Sequence, residues 1–170
     1  MAKAERVVVT GIGVASPLGC SVPEFWDALV AGKSGVRSLE GGLFSGFQTI
    51  IGAIVQGYDE AEFFDGKEAR RMSRASQLGL VATEEAIQQA NITNGQVDRD
   101  EVGVMVGSSI GGFSGSDQFF KSFHLQGKIS PFTIPVSMNI GPGSNISIKH
   151  GFKGPLLNVD AACATAAHSI

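Results

Sequence analysis

Residues Lys153 to Ile170 read KGPLLNVDAACATAAHSI. The apolar Leu156, Leu157 and Val159 have the look of a short buried strand, and Ala161, Ala162, Ala164, Ala166 and Ala167 crowd small side chains around a single cysteine, Cys163. A strand that reverses sharply into a helix needs small neighbours, because larger side chains collide with the turn. The pattern places Cys163 in the first turn of a helix, where unpaired N–H groups and the positive dipole end stabilise a thiolate. That is the chemistry of an activated nucleophile. A free cysteine serving as a small core residue is the other reading the local pattern allows.

Upstream, strand-like and helix-like runs alternate. Val7 to Thr10 is a β-branched run ending in Gly11-Ile12-Gly13, followed by Ser16-Pro17-Leu18-Gly19. Ser21-Val22-Pro23-Glu24 has capping-box spacing, with proline tolerated in the first turn, and opens a helix through Phe25, Leu29 and Val30 that stops at Gly32. A second strand is expected over Ile50 to Val55. A long helix follows over roughly Gly66 to Ala90, with Met72, Ala75, Gly79, Ala82, Ala86 and Ala90 at three- and four-residue steps. Such a stripe lets a helix lie close to a sheet or to another helix. Val102 to Val106 reads as a third buried strand, running into Gly107-Ser108-Ser109-Ile110-Gly111-Gly112-Phe113. Alternation of this kind argues for an α/β fold with a mostly parallel sheet.

Composition agrees with a globular domain and excludes other classes. The chain has 170 residues, enough for a core, with 43% hydrophobic and 17% charged residues and 23 glycines. A net charge of −3 gives no reason to expect nucleic acid as a partner. No apolar stretch is long enough to span a membrane, and Met1 to Arg6 do not resemble a signal or transit peptide. Two cysteines, Cys20 and Cys163, make no disulfide framework, so a cytoplasmic setting is expected.

Chemistry-bearing candidates are few. Gly11-x-Gly13 after a strand has part of a dinucleotide-binding turn, but Ser16 stands at the third glycine position, which favours a structural turn. His168 lies five residues beyond Cys163, about 140° around a helix, and points off its face. His150 and His124 have no pattern that aims them at the thiol. No metal-ligand spacing occurs, and neither a metal nor a cofactor is expected. Lys67, Arg70, Arg71 and Arg74 open the long helix, where cations oppose the dipole; this hints at an acidic partner.

The order and spacing of several motifs resemble the elongating β-ketoacyl-[acyl-carrier-protein] synthases, in their amino-terminal half. The resemblance runs through Val7-Val8-Val9-Thr10-Gly11-Ile12-Gly13, Ser16-Pro17-Leu18-Gly19, Trp26 and Ala31-Gly32-Lys33-Ser34-Gly35. It continues through Lys67-Glu68-Ala69-Arg70-Arg71-Met72, Gly107 to Gly112, Lys128-Ile129-Ser130-Pro131-Phe132, Gly151-Phe152-Lys153-Gly154-Pro155 and Ala162-Cys163-Ala164-Thr165.

The resemblance implies a thiolase-like fold, of which residues 1–170 would be the amino-terminal half of a layered αβαβα architecture, the carboxy-terminal half being absent. It implies fatty acid chain elongation: Cys163 takes an acyl chain as a thioester from acyl carrier protein, and malonyl carrier protein loses carbon dioxide to give the attacking carbanion. The Cys163 backbone N–H would form half of an oxyanion hole, a donor whose loss typically costs about 3–4 kcal/mol. Ile110 matches the residue that gates the acyl pocket, Phe113 falls among pocket-lining positions, and Phe132 lies in the segment reaching the partner subunit's pocket in family homodimers. Lys67, Arg70, Arg71 and Lys128 match positions that dock the acidic carrier protein.

Departures from the family pattern qualify the reading. Its two catalytic histidines, lysine-bearing motif and glycine–phenylalanine oxyanion loop belong to the second half, so the isolated chain is expected to be inactive. Ala161 stands where threonine or serine is usual, Asp160 is an uncommon acid beside the elbow, and Cys20 replaces a common asparagine. Gly141-Pro142-Gly143 falls where the family runs a helix, which is expected to begin late or break there. A non-catalytic carrier-binding module, a decarboxylating or chain-length subunit, and a thiolase-like acyltransferase are the competing classes. Cys163 speaks against the subunit class, whose members usually replace it.

Overall fold

The Ser21 hydroxyl starts the first helix, as its spacing to Glu24 predicts. A computed structural model describes residues 6–39, 44–55, 57–92, 95 and 97–170. Helix α1 is Val22–Val30; Ser21 Oγ accepts the Glu24 N–H at 3.4 Å and proline occupies the first turn. The carboxylate of Glu24 turns back to the N–H of Cys20 at 3.0 Å, one residue earlier than a capping box requires. The helix gives way to Gly32 at φ +64°. The chain divides into two units, residues 1–58 with 82–93 and residues 59–81 with 94–170.

In the first unit, β1 (Arg37–Ser38) pairs antiparallel with β2 (Ile51–Gly52), Arg37 opposite Gly52. Among the described residues the strand expected over Ile50 to Val55 is reduced to two residues, with the Leu39 N–H donating to the Ile50 carbonyl at 2.7 Å beside the ladder. The expected strand Val7 to Thr10 does not form. Val7 is 98% exposed, and among the described residues no strand lies alongside to take its ladder hydrogen bonds.

The segment after it runs along the second half of α4 (Arg74–Ala90). Gln89 Oε1 takes the Ile12 N–H at 2.6 Å, and the Glu85 carboxylate takes those of Val14 and Val22 at 3.0 and 2.7 Å. A Cβ on Gly13 would fall 1.7 Å from the Ala82 carbonyl oxygen, and one on Gly11 2.0 Å from that of Ala86. The second half of the small-residue stripe, Ala82, Ala86 and Ala90, therefore meets a glycine-bearing segment outside any strand or helix, whereas Gly79 in its first half faces Pro142 of the helix Gly141–His150. Gly11 and Gly13 serve close approach and not a tight turn. Among the described residues of this unit, Ala28 of α1 and Ile87 of α4 are the buried apolar ones.

In the second unit the helix expected over Gly66 to Ala90 is interrupted. After α2 (Glu60–Phe63), Asp65 caps α3 (Gly66–Ala69): its Oδ1 accepts the N–H groups of Lys67 and Glu68 at 2.7 and 2.8 Å, and Glu68 answers to the Asp65 N–H. Ser73 then opens α4, its Oγ accepting the Ser76 N–H at 3.1 Å. Serine competes with the helix ladder in this way, so it restarts a helix more readily than it continues one. The buried face of α4 in this unit carries Ser73, Ser76, Gln77, Leu80 and Val81. Gln77 is satisfied there by Glu60 at 2.9 Å and by the Ala69 carbonyl.

Strand β3 (Val104–Gly107) pairs parallel with β4 (Leu156–Val159), Val104 opposite Leu156 and Gly107 opposite Val159. The expected strand Val102 to Val106 is shifted by the Gly154 N–H, which the Val102 carbonyl accepts at 3.0 Å before the ladder begins. Nor is it buried on both faces. Gly143 of α7 (Gly141–His150) packs on Leu156 and Val106, whereas Met105 and Leu157, on the other side of the pleat, are exposed. Helix α7 starts at Gly141 with Pro142 in its first turn and runs unbroken to His150, so the proline meets a position that needs no N–H. Helices α5 (Phe113–Gln126) and α6 (Thr133–Ser137) fill the connection between the strands. Among the described residues no helix is long and apolar enough to cross a membrane.

Candidate active site

Strand β4 delivers the chain to Asp160, after which it bends. Ala162–Ala164 form one 3-10 turn and Thr165–His168 the short helix α8. Cys163 sits in that turn, just ahead of the helix where the sequence pattern predicts its first turn, and it is exposed to solvent. Ala162 holds φ +48°, the left-handed region that an L-residue enters at a cost of about 1–2 kcal/mol. Three side chains restrain the bend. Thr165 Oγ1 accepts the Ala161 N–H at 2.8 Å, Asp160 Oδ1 accepts the Ala162 N–H at 3.2 Å, and the Ser109 hydroxyl donates to the same Asp160 oxygen. Asn139 in turn donates to the Ser109 carbonyl at 2.5 Å. The Ser109 hydroxyl, and then the Ala162 N–H, hold the Asp160 carboxyl below its ordinary pKa.

The histidines are engaged elsewhere. His168 Nδ1 lies 2.9 Å from the Ala164 carbonyl of its own turn, His150 stacks on Phe152 at 5.3 Å, and His124 packs against Phe120 and Phe123. Among the described residues no histidine bonds the Cys163 sulfur.

The cationic residues gather around a cavity of about 560 Å³ in the second unit, whose lining includes Glu60, Lys67, Arg70, Arg71, Arg74 and Phe132. Lys67 belongs to α3, Arg70 and Arg71 to the break that follows, and Arg74 to the first turn of α4. Their spacing of three, four and seven residues is that of one helix face, and across the break between α3 and α4 the four still line one hollow. The Arg71 guanidinium stands over the Phe132 ring. Lys128, just beyond α5, does not line this cavity, and neither does Cys163.

Ile110 follows Ser109 on the loop after β3 and is 72% exposed; Phe113 opens α5 and is 70% exposed. The structure thus joins Ile110's loop to the Cys163 turn through Ser109 and Asp160, and joins Phe132 to the cations. Ser109, Asn139 and Thr165 were not singled out by sequence pattern. The uncommon acid at Asp160, beside a serine-rich loop, was the available signal for Ser109.

A family model for the β-ketoacyl synthase N-terminal domain matches residues 4–170. The chain belongs to the β-ketoacyl synthase family. It is 36% identical over 167 residues to 3-oxoacyl-[acyl-carrier-protein] synthase 2 of Coxiella burnetii, an alignment covering 97% of this chain and 40% of that protein. Among solved structures, a β-ketoacyl synthase from Burkholderia phymatum superposes with a TM-score of 0.80 at 24% identity, covering 97% of this chain and 41% of its own. A type II polyketide ketosynthase solved with its acyl-carrier protein gives 0.74 at 20% identity, covering 95% and 43%. The α/β, thiolase-like fold class therefore holds, and the chain spans about 40% of the length of the curated relative it matches.

Proposed function

We propose that this synthase chain carries the acyl-accepting half of a fatty acid elongating site, with Cys163 as nucleophile. The Cys163 sulfur attacks the carbonyl carbon of an acyl thioester on acyl carrier protein. The new C–S bond forms as the bond to the leaving sulfur breaks, and the carrier thiolate takes up the proton that Cys163 gives up. A malonyl thioester then loses carbon dioxide; its carbanion attacks the enzyme-bound thioester and expels the Cys163 thiolate. Covalent catalysis divides one difficult substitution into two easier ones. The observation that carries this reading is the exposed thiol on a bend whose preceding residue is held left-handed.

Carrier docking falls to Lys67, Arg70 and Arg71, with Lys128 beyond them, where charge pairing speeds encounter and weakens with salt. Ile110 and Phe113 are assigned to the acyl pocket, and Phe132 to the region where a second subunit meets this one. Homodimeric assembly and a cytoplasmic setting complete the proposal. Residues 1–170 act as the amino-terminal half, and condensation needs the histidines and oxyanion loop of a complementary half.

The purified chain, incubated with acyl-loaded carrier protein and then with malonyl-loaded carrier protein, is expected to gain one acyl mass on the Cys163 peptide and to form no elongated product. Cys163→Ala should lose the adduct and keep carrier binding. Normal elongation by the isolated chain would refute the need for a second half. Carrier binding by a wild-type chain that never becomes acylated would favour the non-catalytic binding module instead.

A further inference from the structure

Asp160 stands between two segments that meet only in space. Its Oδ1 accepts the Ser109 hydroxyl from the loop that carries Ile110 and the Ala162 N–H from the turn that carries Cys163. Ser109 is fixed from its other side, its carbonyl accepting the Asn139 amide. The Cys163 N–H belongs to the peptide plane that follows Ala162, so the backbone angles of Ala162 set where that donor points. Ala162 adopts φ +48° without glycine's freedom, and a residue persists there only when its surroundings over-determine it.

We infer that Asp160 is a positioning residue: by tying the Ile110 loop to the Cys163 turn and holding Ala162 left-handed, it aims the Cys163 N–H at the oxygen of the acyl thioester. This rests on the acyl-transfer role proposed for Cys163. The group acts through the backbone and touches no reacting atom. A charge-assisted acceptor suits this task, because a carboxylate takes two donors at once and holds them more tightly than a neutral oxygen. The lowered pKa of the carboxyl agrees with its staying ionised for that purpose.

Two reactions of the same thiol separate aim from mere integrity. Acylation by a thioester builds negative charge on the carbonyl oxygen and needs the N–H; alkylation by iodoacetamide does not. Both are followed on the Cys163 peptide by mass spectrometry, which keeps Cys20 out of the measurement. In the full chain, Asp160→Ala is expected to slow acylation on the order of tenfold while alkylation changes far less. Amide exchange at Ala162 and over residues 108–112 should quicken by about fivefold or more, with α4 unchanged.

Ser109→Ala should free the loop, leave the Ala162 amide protected and slow acylation less than Asp160→Ala. Asp160→Asn, which retains one acceptor oxygen, should fall between wild type and Asp160→Ala, and it serves if the alanine variant does not fold. Unchanged exchange at Ala162 in the Asp160 variants overturns the inference, as does an equal fall in both reactions. If the wild-type chain takes no acyl group at all, it is the nucleophile role of Cys163 that fails, and amide exchange alone then decides whether Asp160 holds the bend.

Discussion

The Arg71 guanidinium carbon lies 4.8 Å from the centroid of the Phe132 ring, joining a cation of the α3–α4 break to the segment before α6. An exposed cation–π pair is worth about 0.5–1 kcal/mol. A double-mutant cycle of Arg71→Ala and Phe132→Ala, read from urea unfolding, is expected to return a coupling of about that size. Arg71→Ala should also slow carrier-protein association and flatten its salt dependence. Additive single effects would mean the two side chains are neighbours without interaction.

Gly13→Ala should be among the most damaging single substitutions in the chain. The new methyl would sit 1.7 Å from the Ala82 carbonyl oxygen, and backbone cannot step aside as a flexible side chain does. Overpacking typically costs about 1–3 kcal/mol, and this contact should reach about 3 kcal/mol or more. Gly32→Ala is the comparison: nothing lies within 4 Å of its added Cβ, but its φ of +64° should cost about 1–2 kcal/mol. Urea midpoints of the two variants, in that order below wild type, check the ranking.

Leu80 is fully buried, at 0% exposure, on the inner face of α4. Leu80→Ala leaves a cavity and is expected to cost about 2–5 kcal/mol. Leu125→Ala, on an exposed stretch of α5, should stay within about 0.5 kcal/mol of wild type. Chemical denaturation of both variants, with slopes compared, supplies the measurement.

Asp65 accepts backbone N–H groups, first from Glu68 and then from Lys67, and its carboxyl is held below the ordinary 3.8. A group acidified by folding contributes stability above its unfolded pKa and loses it as pH falls through the folded value. The difference in melting temperature between wild type and Asp65→Ala should therefore be present at neutral pH and close as the solution is acidified below 3.8. A gap that stays constant into acid would show that the cap contributes through packing and not through charge.

Elements specified by neighbours in the chain were legible before any coordinates. Ser21 and Pro23 mark the start of α1, and Leu156 to Val159 mark β4. Elements that depend on distant partners were not. Val7 to Thr10 have the composition of a strand, but a strand needs an adjacent edge, and none is present among the described residues. The stripe Ala82, Ala86 and Ala90 promised close packing on a sheet or helix; glycines some seventy residues earlier, outside either, are what it meets. The break at Ser73 was hidden because a serine inside a periodic run reads as neutral until its hydroxyl takes a backbone N–H.

The candidate site divides the same way. Cys163 could be picked out because its alanine neighbours report a crowded bend. The bond from Ser109 to Asp160 spans two separate motifs, and no periodicity connects them. Lys67, Arg70 and Arg71 were visible as a cluster at helix-face spacing; the hollow they line is completed by Phe132 and Ser130, which lie some sixty residues further along the chain.

The partnership of Val104 with Leu156 has a kinetic consequence. Parallel neighbours cannot be joined by a hairpin, and here α5, α6 and α7 all lie between them in the chain. The ladder can zip only after that intervening stretch has surrendered much of its freedom, so the barrier is entropic and the nucleus is remote from any local turn. Refolding should be slow, and the segment that presents the thiol should be among the last to settle.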